Sequence, residues 1–220
     1  MGLVVLPKLD HYWSKEDLYG AALVKKAMIR DRFSLLLRFW HFAGNTQAEP
    51  NNRLHKIQDV TRQITGNFQV VRTPGSHLVV DETMVPWRGR LAFRQYIPGN
   101  AHKYGFKLYK LCGDDGYTYM LSVYSGKVDA APELQHAEAV VRQLVEGLLD
   151  AGRTLYADNF YTSLPLARYL TSRDTHLVGT LRANRKELPR EVTCAKNLKK
   201  GDVIGRQDEK GIKTQWAEIA

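Results

Sequence analysis

The chain has 220 residues, 44% hydrophobic and 25% charged, a composition close to the globular average that excludes wholesale disorder and collagen-like or low-complexity sequence. No run of eighteen apolar residues occurs, so no segment reads as a membrane span, and Met1–Asp10 lacks the basic start and long apolar stretch of a signal peptide. Thirty-two Lys and Arg against 23 Asp and Glu leave a net charge of +9, a balance that favours a polyanionic partner.

In chain order, Ser14–Phe42 reads as helical, with Leu18, Ala22, Met28, Leu35, Phe39 and Phe42 near helical spacing. Two helices with a break near Asp31 are expected, and Ser14 with Asp17 resembles a capping box. Gly44–Asn52 is a polar connection, Arg53–Val71 a weakly patterned helix, and Thr73-Pro-Gly-Ser76 a turn. From His77 the texture changes to strands. His77-Leu-Val-Val-Asp81 is a β-branched run that ends in an acid. Tyr104–Tyr124 reads as a hairpin that breaks at Gly113-Asp-Asp-Gly116. Pro132–Ala151 is an amphipathic helix stopped at Gly152, and Thr154–Ala157 is a strand leading into Asp158. Ser163–Ser172 is a helix with Pro165 in its first turn, and His176–Leu181 is a further strand. The order strand, hairpin, helix, strand, helix, strand predicts an α/β fold with a mixed sheet.

Neither a GxGxxG loop nor a Walker motif occurs, which argues against nucleotide-cofactor enzymes of those kinds. Cys112 and Cys194 form no disulfide framework and read as reduced thiols of the cytosol or nucleus. His77, His102 and His176 share no metal-ligand spacing.

The charge is concentrated. Asp81–Lys110 carries +4, through Arg88, Arg90, Arg94, Lys103, Lys107 and Lys110, and Arg182–Lys200 carries +5. Together they account for the whole net charge. Such tracts suit phosphate contact, and solvated loops are the plainer reading. Trp87, Tyr96 and Tyr104 interleave with these bases; they read as core of a short hairpin, with contact to splayed bases as the alternative. Asp81 and Asp158 each end a short apolar strand. Were those strands neighbours, two carboxylates would share one sheet edge and could hold a hard divalent cation, whereas strand capping would give the same pattern without chemistry.

Three ordered blocks carry a resemblance. The first is Asp81-Glu-Thr-Met-Val-Pro-Trp-Arg-Gly-Arg90 with Phe93-Arg-Gln-Tyr-Ile-Pro98 and His102-Lys-Tyr-Gly-Phe-Lys107. The second is Asp158-Asn-Phe-Tyr-Thr-Ser-Leu-Pro-Leu166, and the third Gly179-Thr-Leu-Arg-Ala-Asn-Arg-Lys-Glu-Leu-Pro189. In this order they resemble the core of piggyBac-type transposases. The resemblance implies an RNase H-like catalytic core at 73–200, after a helical region at 1–72 concerned with dimerisation or DNA binding. It also implies that 201–220 is the beginning of an inserted β-rich segment, with Val203–Arg206 and Ile212–Trp216 as strands. Asp81 matches the first metal-binding acid and Asp158 the second. No residue here matches the third acid, and the family's cysteine-rich C-terminal domain is absent, so the chain reads as a fragment or truncated relative.

On this resemblance the expected function is DNA transposition: binding of transposon-end and target duplex DNA, then strand cleavage and transfer dependent on Mg²⁺ or Mn²⁺, in the nucleus, by a homodimer. Arg88, Arg90, Arg94, Lys103, Lys107, Arg182, Asn184, Arg185 and Lys186 are the expected DNA contacts. A non-catalytic DNA-binding protein that keeps the fold is the alternative, and a metal-free hydrolase using Asp81 and Asp158 is a third reading.

Overall fold

A computed structural model describes residues 4–16, 18–44, 46, 51–99, 101–126, 136–193, 202–209 and 211–217. The chain divides into two compact units, Met1–Pro50 and Asn51–Ala220.

In the first unit a 3₁₀ turn at Leu9–Trp13 precedes helices α1 (Ala22–Ala27) and α2 (Arg30–Phe39). Two helices were expected from the apolar spacing, but the break falls at Met28–Ile29, before Asp31. The anchor at this break is Trp13, whose Nε1 donates to the Met28 carbonyl at 2.7 Å and whose ring lies 5.3 Å from Phe33. Asp17 lies outside the described residues, and Ser14 Oγ accepts from the Glu16 amide instead.

The second unit opens with α3 (His55–Val71) and continues with β1 (His77–Pro86), β2 (Gln95–Tyr96), β3 (Tyr104–Gly113) and β4 (Thr118–Val123). After these come α4 (His136–Val145), β5 (Arg153–Ala157), α5 (Leu164–Ser172), β6 (Thr175–Gly179) and α6 (Arg190–Thr193). A two-stranded sheet of β7 (Val203–Gln207) and β8 (Lys213–Ala217) completes the described elements, one residue from the strands expected at 203–206 and 212–216. The division at Pro50/Asn51 places α3 with the sheet, although the sequence reading groups it with the N-terminal helices. The reason is packing: Phe68 meets the Tyr117 ring edge-on at 6.2 Å, and the Tyr117 hydroxyl donates to the Phe68 carbonyl at 2.9 Å.

The main sheet has the order β2-β3-β1-β5-β6, with β4 also paired to β3. β1 is antiparallel to β3 and parallel to β5, and β5 is parallel to β6. This is a mixed sheet flanked by helices, consistent with an RNase H-like core. The hairpin turns at Asp114–Gly116, where Gly116 adopts φ +80°, a value that favours glycine. The α4 helix ends earlier than expected, at Val145, and a 3₁₀ turn at Glu146–Leu148 finishes it; its expected first turn lies outside the described residues.

Alternation in β1 sends Leu78 and Val80 inward and leaves His77 and Asp81 exposed. The inward residues join Tyr109 and Leu111 of β3 and Leu155 of β5. Against them pack Val141, Leu144 and Val145 of α4 and Leu166 and Leu170 of α5. Ser163 caps α5, its Oγ accepting from the Leu166 amide at 3.3 Å. Leu155 is fully buried on the strand that delivers Asp158. Leu155→Ala is expected to cost about 2–5 kcal/mol, read as a lower midpoint in urea unfolding at unchanged slope.

Candidate functional site

Two strand ends build the site. The parallel ladder of β1 and β5 pairs His77 with Thr154 and finishes at Val80 opposite Ala157. The next residues on the two strands are Asp81 and Asp158, so the register brings both acids to one sheet edge, and both are exposed. Each commits one oxygen locally. Asp81 Oδ1 accepts from the Glu82 amide at 2.8 Å, and Asp158 Oδ1 accepts from the Phe160 amide at 2.9 Å. The second oxygen of each carboxylate remains for another donor or a cation. Lys110 is the cross-strand partner of Asp81 on β3. Two hard, exposed carboxylate donors fit part of the shell of a divalent cation such as Mg²⁺ or Mn²⁺. Among the described residues, no group of three His, Cys, Asp or Glu could hold a metal ion.

The turn after Asp158 is firmly tied. Its carbonyl accepts from the Thr162 hydroxyl at 2.8 Å and from the Thr162 amide at 3.1 Å. Arg185 donates to the carbonyls of Asn159 (2.9 Å) and Phe160 (2.6 Å), and Arg182 Nε donates to Asn159 Oδ1 at 2.9 Å. Gly179, at the end of β6, faces Ala157 across the ladder; a Cβ there would run into Thr162 Oγ1 and the Ala157 carbonyl. The third sequence block therefore props the acidic turn of the second.

Beneath the carboxylates lies a half-buried polar cluster. Glu82 Oε2 accepts from the Tyr161 hydroxyl at 2.9 Å, and its Oε1 lies 3.5 Å from Lys107 Nζ. The Tyr109 hydroxyl is 3.1 Å from His136 Nε2. Burial, with Tyr124 and Glu82 nearby, pushes the Tyr109 hydroxyl up to about 12. Burial and then Glu82 push Tyr161 up further, so both remain neutral donors at physiological pH.

Burial first, and then Lys107, lower the His136 pKa below its ordinary value of about 6.5. A lowered folded-state pKa means that the fold favours the neutral ring. The contribution is complete above the unfolded value and is lost as pH falls through the folded one. Melting temperature should therefore decline modestly between pH 7 and 5.5, and His136→Gln should flatten that part of the profile in scanning calorimetry.

The β1–β3 pairing runs on from Asp81 to Pro86, beyond the end of β5, for about 17 Å at strand rise. β2 joins its outer edge, and Trp87 continues it, its amide donating to the Tyr104 carbonyl at 3.1 Å. On this arm Arg88, Arg90 and Lys103 are exposed. Trp87, Tyr96 and Tyr104 are about half exposed, at 45%, 57% and 47%, so they are not the core of a hairpin. Arg94 lies 4.9 Å over the Tyr104 ring and donates to the carbonyls of Arg88 (3.3 Å) and Gly89 (3.4 Å), which stiffens the arm. Asn184 and Lys186 are exposed near the acidic turn. Of the expected DNA contacts, Arg88, Arg90, Lys103, Asn184 and Lys186 face solvent; Arg94 and Arg182 are also exposed but bonded to neighbouring loops, and Lys107 and Arg185 are half-buried and bonded within the fold. Lys196, Lys199 and Lys200 of the second basic tract, and Cys194, lie outside the described residues.

Glu82, Tyr161 and Gly179 took no part in the site expected from the sequence. A signal for Glu82 was present: residues next to each other on a strand face opposite sides, so an acid after Asp81 must point toward the core side and needs a partner there.

A family model described as Transposase IS4 matches residues 1–218. PiggyBac transposable element-derived protein 3 of Homo sapiens is 29% identical over 98% of this chain and 38% of its own length. PiggyBac transposable element-derived protein 2 of Homo sapiens is 24% identical over 94% of this chain and 36% of its own. The chain thus spans little more than a third of these relatives. A solved structure, the piggyBac transposase synaptic complex with hairpin DNA, is similar with a TM-score of 0.79 and 27% identity, covering 91% of this chain and 44% of that one.

Proposed function

The chain belongs to the Transposase IS4 family and is of the piggyBac type, and from that premise we propose that it binds duplex DNA and contributes Asp81 and Asp158 to a divalent-metal site for strand cleavage and transfer. The observation that carries this reading is the ladder register, which delivers both acids to the same sheet edge with one carboxylate oxygen of each uncommitted locally. A divalent ion held there would polarise a phosphoryl oxygen and ease loss of a proton from an attacking water or hydroxyl.

The chain's own residues supply the rest. Asp81 and Asp158 give two hard oxygen ligands, and further ligands would come from a segment beyond the described residues. Arg88, Arg90 and Lys103 lie on the arm that leads away from the acids, placed to take phosphates that flank a scissile bond. Asn184 and Lys186 would take phosphates on the other side, next to the turn that holds Asp158. The exposed rings of Trp87 and Tyr96 offer faces to bases that come free of a duplex end. The similar solved transposase is a synaptic complex with hairpin DNA, which supports DNA as the partner. Action on DNA is the reason to propose the nucleus as its location.

The test is a cleavage and binding assay on labelled transposon-end duplexes in Mn²⁺. Asp81→Asn and Asp158→Asn are expected to abolish nicking and to leave duplex affinity within about threefold of wild type. Wild-type chain that binds DNA and never nicks it would assign the non-catalytic, DNA-binding reading.

A further inference from the structure

We propose that Glu82 is a positioning residue: through its bond with the Tyr161 hydroxyl it holds the Asp158 turn against Asp81 where strand pairing has stopped. The inference rests on the reading of Asp81 and Asp158 as a metal pair.

The ladder alone does not set the spacing of the two acids. Its last pair is Val80 with Ala157, so Asp81 and Asp158 are not themselves paired with each other in the ladder. Beyond that point β1 stays paired to β3 only, while the chain after β5 turns away at Asp158 toward α5. A carboxylate pair at such a divergence needs a side-chain tie to keep a fixed separation.

Glu82 and Tyr161 form that tie. Glu82 follows Asp81 and points to the opposite face of β1, where Tyr109 is its cross-strand neighbour. Tyr161 stands three residues after Asp158 and is 1% exposed, its ring wedged against Tyr109 at 6.3 Å and Phe160 at 4.9 Å. The 2.9 Å bond from the Tyr161 hydroxyl to Glu82 Oε2 therefore links the residue beside one acid to the turn that carries the other.

A second strut runs parallel to the first. Lys107 sits on β3 opposite Met84, its Nζ 3.5 Å from Glu82 Oε1 and 5.6 Å from the Phe160 ring centroid. Phe160 is also the residue whose amide holds Asp158 Oδ1. Both struts begin at Glu82; one ends on Tyr161 and the other on Phe160, whose amide holds the Asp158 carboxylate. A half-buried acid that served only the core would need no partner in this turn. Ligand-orienting partners of this kind, one step removed from the ion, typically matter by ten- to a hundredfold in metal affinity.

The experiment compares wild type with Tyr161→Phe, Glu82→Ala and Glu82→Gln by amide hydrogen exchange without metal and by Mn²⁺ titration followed by electron paramagnetic resonance. Tyr161→Phe and Glu82→Ala cut the same bond from its two ends, one inside the core and one outside it. Both should speed exchange at the Phe160 and Thr162 amides about tenfold while α4 amides keep wild-type protection, which also certifies folding. Both should weaken Mn²⁺ binding about tenfold. Glu82→Gln keeps an oxygen for the Tyr161 hydroxyl and should retain most of the protection, a rescue that loss of packing would not show.

Unchanged exchange at Phe160 and Thr162 in both variants overturns the tie, whatever happens with metal. Faster exchange with undiminished Mn²⁺ affinity overturns the positioning role. Faster exchange in a chain whose wild type takes up no Mn²⁺ supports the tie and overturns the metal reading instead.

Discussion

Replacing Arg88 and Arg90 together by Ala should weaken duplex DNA binding and flatten its salt dependence. Both guanidinium groups lie in solvent on the arm beyond Asp81, and neither is spent on another part of the fold among the described residues. Each phosphate that a cation neutralises releases counterions, which makes log affinity fall with log salt by about 0.9 per contact. Loss of two contacts should make that slope shallower by about 1.8 and reduce affinity at every salt concentration, most strongly at the lowest. Fluorescence anisotropy on one duplex between 50 and 200 mM salt reads both quantities. Arg185→Ala is a different experiment: its guanidinium grips the Asn159 and Phe160 carbonyls, so the change should disturb the acidic turn before it removes any phosphate contact. An unchanged slope in the Arg88/Arg90 pair would mark the arm as ordinary solvated surface.

How much of this was legible in the sequence follows from the range of each signal. The β-branched runs that end in Asp81 and Asp158 are local, and so is the alternation that makes β1, β3 and β5 strands; both acids could be placed at strand ends before any partner was known. The mixed sheet followed from chain order, because a hairpin gives antiparallel neighbours and a strand–helix–strand unit gives parallel ones. Pairing across the chain was not legible. Nothing in Arg53–Val71 states that its apolar face meets Tyr117 of the hairpin, and proximity along the chain alone groups α3 with the N-terminal helices. The same limit applies to charge: Arg88 and Arg185 look alike in a basic tract, yet one is solvated and the other is folded onto two carbonyls. Large rings such as Trp87, Tyr96 and Tyr104 usually read as core, but here they stay about half exposed.

The second large effect concerns the carboxylate pair itself. Two ionised acids side by side at the end of a parallel ladder repel one another, which costs stability in the absence of a cation. A cation bound by the folded chain alone removes that cost and adds stability that grows with its concentration over its dissociation constant. Asp81→Asn or Asp158→Asn removes one of the two charges, so either variant should melt at or above the wild-type temperature without metal. Neither should then gain from metal, because one carboxylate is a poor site for a hard divalent ion. With two protein ligands the wild-type affinity is expected to be weak, on the order of millimolar with a single ion, so the gain should appear only in the upper part of a titration.

The most direct measurement is therefore the melting temperature of wild type, Asp81→Asn and Asp158→Asn chains across a Mn²⁺ titration from zero to 20 mM at fixed ionic strength. A rise of a few degrees is expected for wild type and flat curves for both variants, which begin at or above the wild-type value. Three curves of the same shape, rising together or not at all, would contradict the metal-pair assignment and leave Asp81 and Asp158 as residues that cap their strands.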